Sequence, residues 1–150
     1  MIPKIITSCV KNSIKGIKMQ VWISKLDFGY DYKSEKPFYL RRPLAFIIDD
    51  GRGRIRACIP KDFQSDGCSI PRIFWILIGC PHTGKYIPAS IVHDYILQHP
   101  DIVNYDRKLA NQTLKTLLLQ EGVEVWKAQV MYLGAELWQW YRNFKTRKWK

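Results

Sequence analysis

Short runs of β-branched and aromatic residues mark the first third of the chain after residue 19: Val21-Trp22-Ile23, Phe38-Tyr39-Leu40 and residues 44–48. Such runs, bounded by polar and turn-forming residues, predict strands. Asp49-Asp50-Gly51-Arg52-Gly53 predicts a hairpin turn with a returning strand over residues 54–59. From Pro60 a long loop carries the chain to Pro71, and the spacing of apolar residues then changes to that of helices. Ser69 as N-cap with Pro71 in the first turn predicts a short helix over residues 72–78 that stops at Gly79. Pro88 opens a second helix to about Gln98, ended before Pro100. Asn104 or Asp106 caps a third, which carries Leu109, Leu114, Leu117 and Leu118 on one stripe and ends at Gly122. A fourth, from Val123 onward, sets Trp126, Val130, Leu133, Leu137, Trp140 and Phe144 three and four residues apart. Strands first and helices after give an α+β fold: a small antiparallel sheet in the N-terminal half packed against about three to four C-terminal helices.

At 150 residues and nearly half apolar, the chain suits one core, and no low-complexity tract argues for disorder. Charge divides it further. Residues 1–18 carry Lys4, Lys11, Lys15 and Lys18 and no acid; residues 142–150 carry Arg142, Lys145, Arg147, Lys148 and Lys150 and no acid. These nine make up most of the formal net charge of +11, so the expected organisation is a basic N-terminal arm (1–18), a single domain (19–141) and a basic C-terminal tail (142–150). Basic ends suit a polyanionic partner, whether nucleic acid, an anionic membrane surface or an acidic protein face, although solvated basic termini are common without one. Cys9, Cys58, Cys68 and Cys80 fit no zinc or C-x-x-C spacing and are expected to be reduced and mostly buried. The longest apolar run, residues 73–80, is under half of what a transmembrane helix needs, and the lysines of residues 1–18 interrupt any signal-peptide core.

Two segments stand apart as candidate chemistry: Ser65-Asp66-Gly67-Cys68-Ser69-Ile70-Pro71 on the loop and His93-Asp94-Tyr95 on the second helix. With Ile59-Pro60-Lys61-Asp62-Phe63 before them and the helix of residues 107–111 after, they resemble the phage-related family known as domain of unknown function 1353, over roughly residues 36–135. The resemblance implies origin in a tailed phage or prophage and supplies no established activity. The family pattern has Thr at the place of Ser65, Ala at that of Cys68, and Asp at that of Asn111, so an acidic ligand or base at that last position is missing here.

A histidine beside carboxylates can act as a general base or bind a metal together with Asp. On this reading His93, Asp66, Asp94 and Ser69 are the catalytic candidates, with no metal ligand set or cofactor assigned. The helical His-Asp doublet is similar to those of secreted phospholipases A2 and of the His-Asp phosphohydrolases. The paired cysteines and glycine-rich calcium loop of the first are missing, and only His82 lies upstream where the all-helical second needs more ligands, so neither activity carries over. A Ser69-His93-Asp66 triad lacks a nucleophile-elbow context. The bland alternative makes Asp66-Gly67 an ordinary turn and His93 a buried histidine bonded to the loop, a lock between loop and helices.

The last helix holds more aromatics than one buried stripe can use, because Trp138 and Trp140 lie about 200° apart around a helix. They pack either on the sheet and the N-terminal arm or, with Arg at the rim, form a docking face of Trp138, Trp140, Arg142, Lys145, Arg147 and Lys148. The expected function is a phage-encoded structural or interaction protein, a tail or neck component of the virion, made in the host cytoplasm and binding other phage proteins in an oligomeric assembly. The alternative is a small hydrolase acting on cell-envelope material with His93 as base. Nucleic acid is a further candidate partner for the basic ends.

Overall fold

A computed structural model describes residues 19–67, 71–79, 84–102 and 107–147. The expected α+β build is present: the described strands precede the described helices. The sheet is two sheets. β1 (Gln20–Ile23), β4 (Leu44–Asp49) and β5 (Arg54–Ile59) form one, ordered β1-β4-β5, and β2 (Phe28–Tyr30), β3 (Phe38–Leu40) and β6 (Gln64–Ser65) form the other, ordered β2-β3-β6; all pairs are antiparallel. Pro43, between β3 and β4, has no N–H to give to a ladder, so the chain leaves one sheet there and enters the other.

β4 is the central strand of the first sheet, and its alternation buries Leu44, Phe46 and Ile48. The hairpin to β5 falls where Asp49-Asp50-Gly51-Arg52-Gly53 predicts it. Asp50 Oδ1 accepts from the N–H groups of Arg52 and Gly53, Asp49 Oδ1 accepts from Gly51 N–H, and Gly51 takes the positive φ (82°) that the turn requires.

A 3-10 turn at Arg72–Phe74 runs into the short α1 (Trp75–Ile78), ended at Gly79. α2 (Ile87–Gln98) is the buried spine of the molecule, with every residue from Ile87 to Ile96 inaccessible to solvent or nearly so. Its polar members are satisfied in place; the Ser90 hydroxyl, for example, donates to the Tyr86 carbonyl. Tyr95 packs edge-on to Phe46 and Phe63 and stacks on His99, joining α2 to the first sheet and to the loop that leads into β6. α3 (Arg107–Gln120) covers α2 and reaches β1, burying the expected Leu109, Leu114, Leu117 and Leu118. Gly122 (φ 79°) turns the chain, and α4 (Val125–Arg147) returns along α3, continuing as helix past residue 142, where a tail was expected to begin.

α4 departs from the expectation set by its periodicity. The large stripe of Trp126, Leu133, Leu137, Trp140 and Phe144 faces solvent, with Val130 half-buried at its edge, while Ala128, Gly134 and Ala135 pack inward together with Met131, the one large side chain of that face. Small side chains let α4 approach its neighbours closely, which bulky rings would prevent. Cys58 corrects a second expectation: on the outer face of β5 it is an exposed free thiol. Cys9, Cys68 and Cys80 lie outside the described residues, as do the N-terminal arm (1–18), Ser69 and the proposed caps Asn104 and Asp106. Among the described residues no helix is long and apolar enough to cross a membrane.

Candidate functional site

Ser65, the last residue of β6, pairs with Phe38 across the sheet and is fully buried beneath α2. Its hydroxyl donates to Asp94 Oδ2 at 2.5 Å and accepts from the N–H of Gly67, which holds a positive φ of 84°. One hydroxyl thus fixes the turn that follows the strand and ties it to the spine helix. Asp94, one residue after His93, points its other oxygen toward His93 Nδ1 at 3.9 Å, an ion-pair distance and too long for a hydrogen bond. Burial pushes the Asp94 carboxyl above its ordinary range, helped by the nearby charge of Asp66 and opposed by the hydrogen bonds and charge of its other neighbours.

On the far side of the imidazole, His93 Nε2 meets Asn111 Oδ1 at 2.8 Å. Asn111 is fully buried on α3, and its Nδ2 donates to Glu136 Oε1 at 2.6 Å and to Gln139 Oε1 at 3.3 Å, both on α4. Because the amide nitrogen is committed to Glu136, the oxygen faces His93, and the Nε2–H tautomer of His93 follows from this assignment. Gln139 Nε2 also donates to Asn111 Oδ1 at 3.1 Å. A continuous polar line therefore runs from β6 through α2 and α3 to α4 and crosses the core in side chains.

Of the four catalytic candidates, the structure brings His93 and Asp94 into this line. Asp66 lies on the exposed side of the turn, close enough for its charge to act on Asp94, and Ser69 is outside the described residues. The partner of Asp94 is Ser65, the first residue of the loop motif. Asn111, where an acid was missed, is the hub of the line: it supplies an acceptor to His93 and donors to Glu136 at once, which a carboxylate cannot do. Glu136 and Gln139 have a signal in the sequence: two polar residues three apart in a helix otherwise rich in apolar and aromatic side chains. Among the described residues no group of three or more His, Cys, Asp or Glu is placed to hold a metal ion. His93 is 9 % exposed, and the imidazole nitrogen facing away from Asp94 is already spent on Asn111.

The docking candidates are placed at the surface. Trp140 is 63 % exposed and stacks on Phe144 at 5.8 Å, and Trp138 stacks on Tyr141 at 5.9 Å. Arg142 and Lys145 are exposed beside them, while Lys148 and the side chain of Arg147 lie outside what the structure describes. Ile73, Ile76 and Leu77 of the neighbouring turn and α1, which pack beside α4, are exposed as well, Ile76 to 85 %.

The family model described as "Protein of unknown function (DUF1353)" matches residues 39–135, which contain the polar line from Ser65 to Asn111 but not Glu136 and Gln139. The uncharacterized protein y4jT of Sinorhizobium fredii (strain NBRC 101917 / NGR234) is 34 % identical over 87 residues, 58 % of this chain and 25 % of that protein, so the chain spans about a quarter of its relative's length. No solved structure matches.

Proposed function

Because the chain belongs to the DUF1353 family, whose description names no activity, we propose from its own geometry that it is a structural or interaction protein. On this proposal it is encoded by a phage or prophage, serves as a tail or neck component, and binds neighbouring subunits through the outer face of α4. The observation that carries the proposal is the inverted packing of α4. Five large apolar side chains of one stripe face solvent while Ala128, Met131 and Ala135 form the core contact. Contiguous exposed apolar surface of this kind, rimmed by polar residues, marks interaction sites in soluble proteins.

The polar line supports the same side. Ser65 bonds Asp94, His93 Nε2 bonds Asn111, Asn111 bonds Glu136 and Gln139, and His93 and Asp94 are both buried. That is the arrangement of a lock that fixes β6, α2, α3 and α4 relative to one another, so that the outer face of α4 is presented on a rigid body. A hydrolase with His93 as base would need Nε2 released from Asn111 or Nδ1 turned to a water.

Quantitative mass spectrometry of particles released from cells that carry the gene tests the proposal. A fixed copy number compatible with tail symmetry is expected; absence of the chain from purified particles would overturn the virion role.

A further inference from the structure

One pair of polar atoms in the buried line faces each other without a bond. His93 Nδ1 and Asp94 Oδ1 stand 3.9 Å apart, beyond hydrogen-bonding reach, and among the described residues neither atom bonds to any other group. His93 is 9 % and Asp94 8 % exposed, so both atoms bear most of the cost of leaving water.

The state of each atom follows from its neighbours. Asn111 turns its oxygen to His93 Nε2, which therefore carries the ring hydrogen and leaves Nδ1 with a bare lone pair. Asp94 Oδ2 is engaged by the Ser65 hydroxyl, and Oδ1 stands as a second acceptor opposite Nδ1. A proton on either atom does not resolve the conflict, because at 3.9 Å neither Nδ1–H nor Oδ1–H reaches the other. The pair calls for a third body with two hydrogens to give.

We propose that His93 Nδ1 and Asp94 Oδ1 bind one water molecule between them, which donates one hydrogen to the imidazole and the other to the carboxylate.

Geometry selects water over a metal ion. An oxygen about 2.8 Å from each atom spans the 3.9 Å separation at an angle near 90°, close to the spread of the two O–H directions of one molecule. A zinc-like ion about 2.1 Å from each would spread the two ligands to roughly 135°, far wider than a tetrahedral site. Among the described residues no further His, Cys, Asp or Glu completes such a set. Solvent also has a way in: Ser65 and Asn111, on either side, are fully sealed, whereas His93 and Asp94 each keep a narrow exposed rim.

The inference goes beyond the reading of the line as a lock and does not depend on what α4 binds. Nε2 stays with Asn111, so the lock is intact, while the other nitrogen holds a water with both hydrogens turned to the pair and its lone pairs turned away. An imidazole takes a proton from a water held in this way, which makes Nδ1 the nitrogen of His93 that exchanges protons with solvent.

Ring nitrogen-15 NMR on the full chain tests the site. The sequence has three histidines, so His93 is assigned by elimination with His82→Gln and His99→Gln. At pH 8, above the ordinary imidazole range, Nε2 should be protonated and Nδ1 bare, with the upfield shift of a nitrogen that accepts a hydrogen bond. The ring proton Hε1 should give a dipolar cross-peak to water, and EDTA should change neither signal. A crystal structure should place one oxygen about 2.8 Å from both Nδ1 and Oδ1.

An Nδ1 that is protonated at pH 8, or bare with no upfield shift and no water cross-peak, overturns the proposal. An oxygen that touches one of the two atoms alone overturns the bridge. Signals that shift when EDTA is added overturn it in favour of a bound cation.

Discussion

Replacing Asn111 by Asp changes the shape of the side chain hardly at all and reverses the role of one atom. Nδ2, which now donates to Glu136 Oε1 at 2.6 Å and to Gln139 Oε1, becomes an acceptor facing an acceptor in a fully buried position. The lost bond to a carboxylate is worth about 1.5–3 kcal/mol. Two ionised carboxylates about 4 Å apart would repel by about 4 kcal/mol at an effective dielectric constant near 20, so the pair would instead retain one proton between them. That proton restores a hydrogen bond and limits the net penalty near neutral pH to about 3 kcal/mol, or roughly 6–12 °C in melting temperature for a chain of this length. The pH dependence identifies the cause. A carboxyl held protonated by the fold has a folded pKa above its unfolded value. The stability it contributes is present below the unfolded value and lost as pH rises through the folded one. Scanning calorimetry of wild type and Asn111→Asp should therefore show a small difference near pH 4 and the full difference at pH 8. An equal difference at both, or a variant that melts with the wild type at pH 8, would refute the buried line as a structural element.

His93→Ala should lower the melting temperature by an amount corresponding to about 2–4 kcal/mol, from the cavity left and the donor removed from Asn111. A variant as stable as the wild type would sink the lock and point to chemistry at the imidazole. Asp94→Asn keeps an acceptor for Ser65 and removes a carboxyl that burial raises above 3.8. Relative to this variant, the wild type should lose stability as pH climbs from the ordinary carboxylate range through the raised value, and parallel melting curves would count against that assignment. Removing residues 142–150 should leave the cooperative melt in place, since the described side chains there are largely exposed. It should also weaken partner binding in a pull-down, whereas loss of the melt would make the segment part of the fold.

Strands carried by β-branched and aromatic runs, the Asp-Gly hairpin and the helices bounded by Pro and Gly are legible in the sequence because each depends on its own residues. The division into two sheets is not, since β2 and β6 have three and two residues, too few to display a period. Period alone also misplaces α4: hydropathy gives weight to Trp and Leu over Ala and Gly, yet close helix approach favours the small residues. At the site, His93 and Asp94 are legible as an unusual polar pair. Their engagement with Ser65, Asn111, Glu136 and Gln139 depends on strand register and on the offset of α3 against α4, which long-range packing sets. Cys58 is legible from the period of two in β5, which sets it on the face of Arg54 and Arg56 and outweighs the usual burial of cysteine.

The two faces of α4 draw on separate alphabets. One set, Ala128, Met131 and Ala135, must stay small or flexible for the chain to reach its native state. The other, Trp126, Leu133, Leu137, Trp140 and Phe144, is half or more exposed and lies outside the buried core, so it is less bound by the needs of folding. The outer stripe can therefore be redrawn at less cost than the inner face, and the rate of change along α4 should alternate with the turn of the helix.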